Sequence, residues 1–217
     1  MTEKTVIAID GPAASGKGTL ARKIARHFDF AYLDTGKLYR LVGLRVLEAG
    51  LDPDDENEVN KKAYDLVGQF KPEDLDNPDL GTDEAGNAAS RVAVHLGVRQ
   101  ALIELQRYFP QTTDKRGAVI DGRDIGTVIY PDADLKIFVT ADIQERARRR
   151  CNELKSQGRP AEFEKILQDM KARDDRDTGR ALAPTRKAED AVEVDTTEMS
   201  INEMVEKVAP IIQENLK

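Results

Sequence analysis

Gly11-Pro12-Ala13-Ala14-Ser15-Gly16-Lys17-Gly18-Thr19 is the stretch on which the reading of this chain turns. An apolar run, Thr5-Val6-Ile7-Ala8-Ile9, precedes it and reads as a buried strand. Leu20, Ile24 and Phe28 follow at helical spacing. Strand, G-x-x-x-x-G-K, helix is the setting that a phosphate-binding loop requires. Gly11 and Gly16 allow turns that a Cβ would block, so successive N–H groups can face phosphate oxygens. The positive end of the following helix points at the same place. Lys17 adds a mobile ammonium for the β- and γ-phosphates. The competing reading is a Gly-rich turn that only joins strand to helix.

Outward from the loop, strand-like runs alternate with helical spacing. Ala31-Tyr32-Leu33-Asp34 is expected as the second strand, followed by a helix carrying Leu38, Leu41, Val42, Val46 and Leu47 and closed by Gly50. Val59 to Phe70 reads as a helix, and Lys71 to Gly86, rich in Pro, Asp and Gly, as loop or short turns. Helical periodicity returns at Ala88–Val94 and Val98–Tyr108. Ala118–Asp121 and Leu135–Val139 are the third and fourth strands, and Ala191–Val194 the last. Asp142 is expected to cap a helix through Arg150, and a second helix to span about Ala161–Asp174, with Asp177 to Arg186 as loop. Ser200 and Glu203 form a capping box for a final helix with Ile201, Met204, Val205, Val208, Ile211 and Ile212 on its apolar face. The pattern predicts an α/β fold, a five-stranded parallel sheet flanked by helices. The expected division is a core (1–34, 111–141 and 187–217), an acceptor-binding lobe at about 35–110 and a lid at about 142–186.

The 217 residues suit one such domain with elaborations. The net charge of −7 argues against a nucleic-acid or membrane-surface binder. A single cysteine, Cys151, excludes an internal disulfide and fits a reducing compartment. Met1-Thr2-Glu3-Lys4 leads straight toward a strand with no leader pattern, and no apolar run is long enough to span a bilayer. A cytoplasmic protein, acting as a monomer, is expected. His27, His95 and Cys151 read as structural, and Phe28, Phe30 and Phe138 as core.

Three further features turn phosphate binding into a reaction. Gly18 stands where Ser or Thr commonly follows the lysine, and Thr19 comes next, supplying a hydroxyl near Mg²⁺, directly or through water. Asp121-Gly122-Arg123-Asp124 ends the third strand, where ligands bind in open α/β sheets. There Asp121 can hold water on Mg²⁺ and Arg123 can clamp an acceptor phosphate; the competing role for Asp121 is a cap. Nine arginines lie from Arg146 to Arg186 in a net-acidic chain. Some belong to solvated helix faces, but Arg173 to Arg180 reads as a non-helical network that fixes charges in space. Phosphoryl transfer is mostly positioning plus cationic stabilisation, which a closing arginine lid supplies while excluding water.

Over nearly its full length the chain resembles the bacterial cytidylate kinases. The resemblance rests on Ile9–Thr19, on Leu33-Asp34-Thr35-Gly36 with Tyr39-Arg40, and on Asn87–Ser90 with Val98-Arg99. Its most specific parts are Asp121–Thr127, and Arg173–Asp177 through Arg180–Pro184. It implies ATP-dependent phosphorylation of CMP and dCMP, with Mg²⁺. Carried over by position, Thr35, Ser90, Arg99 and Asp124 would read the cytosine, and Arg40, Arg123 and Arg180 would hold the CMP phosphate. Arg173 and Asp177 would face the ribose, Arg149 and Arg150 the ATP phosphates, and Lys17, Arg123, Arg173 and Arg180 would act in catalysis. Two departures stand out. Thr35 replaces a frequent Ser with the hydroxyl kept, and 71–86 lacks the strand patterning of the small antiparallel sheet often found in the family's acceptor lobe.

Two rival readings remain at this point. One is a related kinase for UMP, AMP or a metabolite. The other is a nucleotide-dependent switch, which would want an N-K-x-D segment after a strand; Asn60-Lys61-Lys62-Ala63 breaks that pattern.

Overall fold

The computed structural model describes residues 4–215. Met1, Thr2 and Glu3, part of the leader-free reading, lie outside the described residues. Five parallel strands form one sheet in the order β2-β3-β1-β4-β5: β1 (Thr5–Asp10), β2 (Ala31–Asp34), β3 (Gly117–Gly122), β4 (Leu135–Thr140) and β5 (Val192–Asp195). β1 is central and buried from Val6 to Asp10. Its apolar run is what a parallel strand covered on both faces needs. One face packs on α1 (Lys17–Phe28) and α8 (Ile201–Asn215), through Leu20, Ile24, Met204, Val208 and Ile212 against Ile7, Ile9, Ile137 and Val139. The other face buries Val6, Ala8, Leu33, Ile120, Ile125 and Ile129.

Two further apolar clusters stand apart from the sheet. α2 (Thr35–Glu48), α3 (Glu56–Gln69), α4 (Asp83–Val92) and α5 (Leu96–Tyr108) share one built on Leu38, Val42, Val59, Val92 and Leu102. α6 (Ile143–Ser156) and α7 (Phe163–Gly179) share another, built on Ala147, Cys151, Leu154, Ile166 and Met170.

Local signals hold well. Asp142 caps α6 by accepting from the Gln144 and Glu145 N–H groups, and Ser200 and Glu203 exchange the expected pair of hydrogen bonds. Several expectations need correction. The segment from Lys71 is loop and short 3₁₀ turns only as far as Thr82, whose hydroxyl caps α4 from Asp83 onward. No strand occurs there. Arg173 to Gly179 is helical, completing α7, because Asp177 faces inward to partners on other elements rather than to solvent. The loop therefore begins at Arg180. Phe138 is only half-buried and Ile201 is exposed.

Candidate active site

The loop after β1 is built so that its carbonyls are held from behind. Gly11 adopts φ +149°, and a Cβ there would meet the Val139 carbonyl oxygen at 2.0 Å, so only glycine fits. Gly16 enters α1 at φ +88°. Lys17 Nζ reaches the Pro12 carbonyl at 3.3 Å. Arg146 of α6 donates to the Ala13 carbonyl at 3.2 Å. The Thr196 hydroxyl donates to the Ser15 carbonyl at 2.8 Å. With carbonyls tied back, the loop's N–H groups remain for a ligand. The start of α1 has no side-chain cap and no acidic residue in its first turn, so its unpaired N–H groups are left for an anion.

In front of the loop lies a cavity of about 330 Å³. Ala13, Ala14, Gly16, Lys17, Gly18 and Thr19 line it from the loop; Arg40, Asp121, Arg123, Arg150 and Arg173 line it from elsewhere. Gly11, Pro12 and Ser15 shape the loop without lining the cavity. Arg149 is directed behind the loop, to the Thr196 carbonyl (2.5 Å), the Thr196 hydroxyl (3.1 Å) and the Ser15 carbonyl (3.5 Å). Arg150 faces the cavity, bridging to Asp83 and Glu153.

The cavity is electrostatically strained toward binding an anion. Burial, then Arg123, presses the Lys17 ammonium down to about 8, with Asp121 and Asp34 pulling it back. Burial and Arg123 likewise press the Arg173 guanidinium down to about 9, still charged at neutral pH. Burial pushes the Asp121 carboxyl up, against the pull of Lys17. Lys17 Nζ lies 3.8 Å from Asp121 Oδ1, too far to donate, so that buried oxygen has no hydrogen-bond partner. No cluster of three or more His, Cys, Asp or Glu side chains occurs among the described residues. A buried carboxylate with a free oxygen, sharing its cavity with Thr19, Asp34 and a phosphate cradle, fits Mg²⁺, which keeps its waters and binds through one or two carboxylates plus phosphates.

Beside the cavity, four elements converge on a buried charge network. Arg99 of α5 pairs with Asp124, and Arg180 Nη2 lies 3.7 Å from the same carboxylate. Burial pushes the Asp124 carboxyl up, opposed by Arg99, Arg180 and Arg123. Ser90 of α4 donates to Asp177 at 2.8 Å, and Arg123 Nε donates to Asp177 at 3.2 Å. Arg173 Nε stands 3.8 Å from it. Burial pushes Asp177 upward, but Arg123, Arg173 and Ser90 together hold its carboxyl below the usual range. Thr35 donates to the Asp121 carbonyl at 2.9 Å. Arg40 donates to the Leu80 and Thr82 carbonyls at 2.7 and 2.9 Å, which sets its guanidinium against the start of α4.

Of the acceptor-side residues anticipated from the sequence, Arg40, Arg123 and Arg173 line the cavity, Ser90, Arg99, Asp124, Asp177 and Arg180 lie in the network, and Thr35 instead bonds the Asp121 backbone. Several others receive no individual role from the sequence. Asp34, Asp83 and Asn87 also line the cavity, and Arg176 donates to Asn87 at 2.8 Å. Arg146, Thr196 and Asp10 support the loops. Asp34 does carry a signal: it ends β2 in register with Asp121 on β3.

The cytidylate kinase family model matches residues 7–214. The chain belongs to the cytidylate kinase family. It is 50% identical over 200 residues to the cytidylate kinase of Paramagnetospirillum magneticum, covering 92% of this chain and 93% of that one. It is also 50% identical over 211 residues to the cytidylate kinase of Rhodospirillum rubrum, covering 95% and 96%. Among solved structures, an uncharacterized protein from Eubacterium ventriosum aligns with TM-score 0.51 and 13% identity, covering 97% of this chain and 99% of the other. That likeness concerns the fold alone.

Proposed function

We propose that this enzyme transfers the γ-phosphoryl group of ATP to the phosphate of CMP, and of dCMP, giving CDP or dCDP and ADP. The carrying observation is a cationic cavity at the start of α1 whose wall residue Arg123 donates to Asp177, beside the buried Arg99–Asp124–Arg180 network. A donor phosphate chain and a base-reading acceptor site are thereby set side by side.

In this reading the loop N–H groups and Lys17 hold the ATP phosphates, with Arg150 on the cavity wall. Arg149 acts behind the loop. Arg40, Arg123 and Arg180 hold the CMP phosphate. A CMP phosphate oxygen attacks the γ-phosphorus in line; the bond to the β–γ bridging oxygen breaks, and its electron pair leaves with ADP. No protein nucleophile takes part. Lys17, Arg123, Arg173 and Arg180 neutralise charge on the moving group. Thr19 and Asp121 would hold Mg²⁺ through water, and the ion would supply further neutralisation of the donor phosphates. Cytosine offers an amino donor beside N3 and O2 acceptors. Asp124 accepts from the amino group, Arg99 and Ser90 donate to the ring, and Thr35 closes that side. Uracil presents a carbonyl to the same carboxylate and is rejected. Arg173 and Asp177 face the ribose.

We further propose that the two outlying apolar clusters mark an acceptor lobe and a lid that close on the core. The net charge of −7 supports small-molecule partners rather than nucleic acid. We also propose a cytoplasmic monomer; the lone cysteine fits a reducing compartment, and no helix among the described residues is long and apolar enough to cross a membrane.

The test is a panel of CMP, dCMP, UMP and AMP with ATP and Mg²⁺, read as nucleoside diphosphate formed. CDP and dCDP should dominate. Faster turnover of UMP or AMP would overturn the assignment of Asp124 and Arg99, and absence of any diphosphate would overturn the kinase reading.

A further inference from the structure

Asp10 is a buried carboxylate that the reaction above does not use. It ends β1 directly before Gly11, in register with Gly122 on β3. Its two oxygens accept separately from the N–H groups of Ile125 and Gly126, each at 2.8 Å. Those N–H groups open the short π-helical turn Ile125–Ile129. The residue at the capping position of that turn is Asp124, yet its side chain makes no capping hydrogen bond. An aspartate so placed ordinarily turns back to cap its own helix. Here the job is done from another strand, and the Asp124 carboxylate lies instead against Arg99 and Arg180.

We propose that Asp10 is a positioning residue for acceptor recognition: by capping the Ile125–Ile129 turn, it leaves the Asp124 carboxylate free to face the cytosine. The inference rests on the proposed reading of Asp124. It also gives a physical tie between the two substrates, because Asp10 is joined by one peptide bond to the donor loop. Without it, the freed N–H groups would compete for Asp124, drawing its carboxylate away from Arg99 and the base.

Asp10→Asn keeps the size but sets an amide NH₂ against one of the two N–H donors. It should raise KM for CMP about tenfold and lower the preference for CMP over UMP by a similar factor, with KM for ATP changed less than about twofold. In a cycle with Asp124→Asn, Asp10→Asn should add nothing further to KM for CMP, since both act through one carboxylate. Equal rises in both KM values, or additive losses in the cycle, would overturn the proposal. So would an unchanged KM for CMP. A second measurement needs no variant. In the unmodified enzyme, CMP should slow hydrogen exchange at the Ile125 and Gly126 amides, and ADP should not. No effect of CMP there would equally overturn it. Failure of the reaction itself is separate, since it would appear as no CDP from the unmodified enzyme.

Discussion

A Cβ on Gly18 would stand 2.9 Å from Asp121 Oδ2, so the glycine after Lys17 is the space that the strand-end carboxylate occupies. Asp121 is buried, takes the Tyr32 hydroxyl on Oδ2 at 3.3 Å and keeps Oδ1 open toward Lys17. Gly18→Ala should displace that carboxylate and lower kcat about ten- to a hundredfold, with a modest fall in Tm. Gly18→Ser should do the same, although it restores the residue type more common after the lysine. Full activity in the serine variant, measured as CDP formation at saturating substrates, would show that Asp121 moves freely and that the contact is incidental.

Lys17 should impose an alkaline limit. Burial and Arg123 lower its ammonium to about 8, so the protonated fraction falls as pH rises through that value. The pH profile of kcat/KM for ATP reports the free enzyme and should show this limb near 8. Bound phosphates favour the charged form, so the limb in kcat should lie higher. Lys17→Ala should lose about 10²–10³ in kcat and the limb with it. A limb of unchanged position in that variant would assign it to another group.

The parts of this molecule that were legible in sequence are those fixed by near neighbours. The apolar run before Gly11, the caps at Asp142 and Ser200, and the left-handed Gly50 all depend on residues within a turn or two. What was misread depends on distant partners. The last turn of α7 looks too charged for a helix, but Asp177 is paired with Arg123, just past β3, and takes a hydrogen bond from Ser90 of α4. The first turn of α4 reads as loop because Asp83 and Gly86 continue the Pro-, Asp- and Gly-rich stretch before it. Small residues are needed there because the Arg40 and Arg173 guanidiniums lie about 3 Å from where a Gly86 Cβ would be. Asp10 reads simply as a strand end, and nothing local shows that its carboxylate serves residues 115 positions away.

Removing Arg99 should cost stability as well as affinity. Its partner Asp124 is buried, with a carboxyl already pushed up by burial. Breaking a buried pair leaves the other charge unsolvated, at about 3–5 kcal/mol, and Arg180 at 3.7 Å offsets part of that. Urea unfolding of Arg99→Met should therefore show a clear loss. Arg99→Met with Asp124→Leu should recover part of it, since an apolar pair replaces the broken one while the buried Arg180, 3.7 Å from Asp124, loses its counter-charge. Neither variant should bind CMP well. Stability that fails to return in the double variant would mean that Arg99 acts mainly through its stacking over Tyr39, whose ring centre lies 5.6 Å from the guanidinium carbon.

Asp10 should leave a mark on the pH dependence of stability that can be separated from its role in binding. Burial raises its carboxyl from 3.8 to about 7, while the Gly126 and Ile125 N–H groups pull it down and Asp124 and Asp121 push it up. Between those two values the folded chain holds a proton that the unfolded chain has released, so stability must fall as pH rises across the interval. The contribution is complete below about 3.8 and gone above about 7, and its size is on the order of 4 kcal/mol. Asp10→Asn cannot titrate. Its Tm measured against that of the unmodified enzyme should therefore improve steadily from pH 4 to 7 and level off near 8, even though the amide loses one N–H contact throughout. A Tm difference that stays constant across that range would mean that the two N–H bonds, not burial, set the ionisation of Asp10.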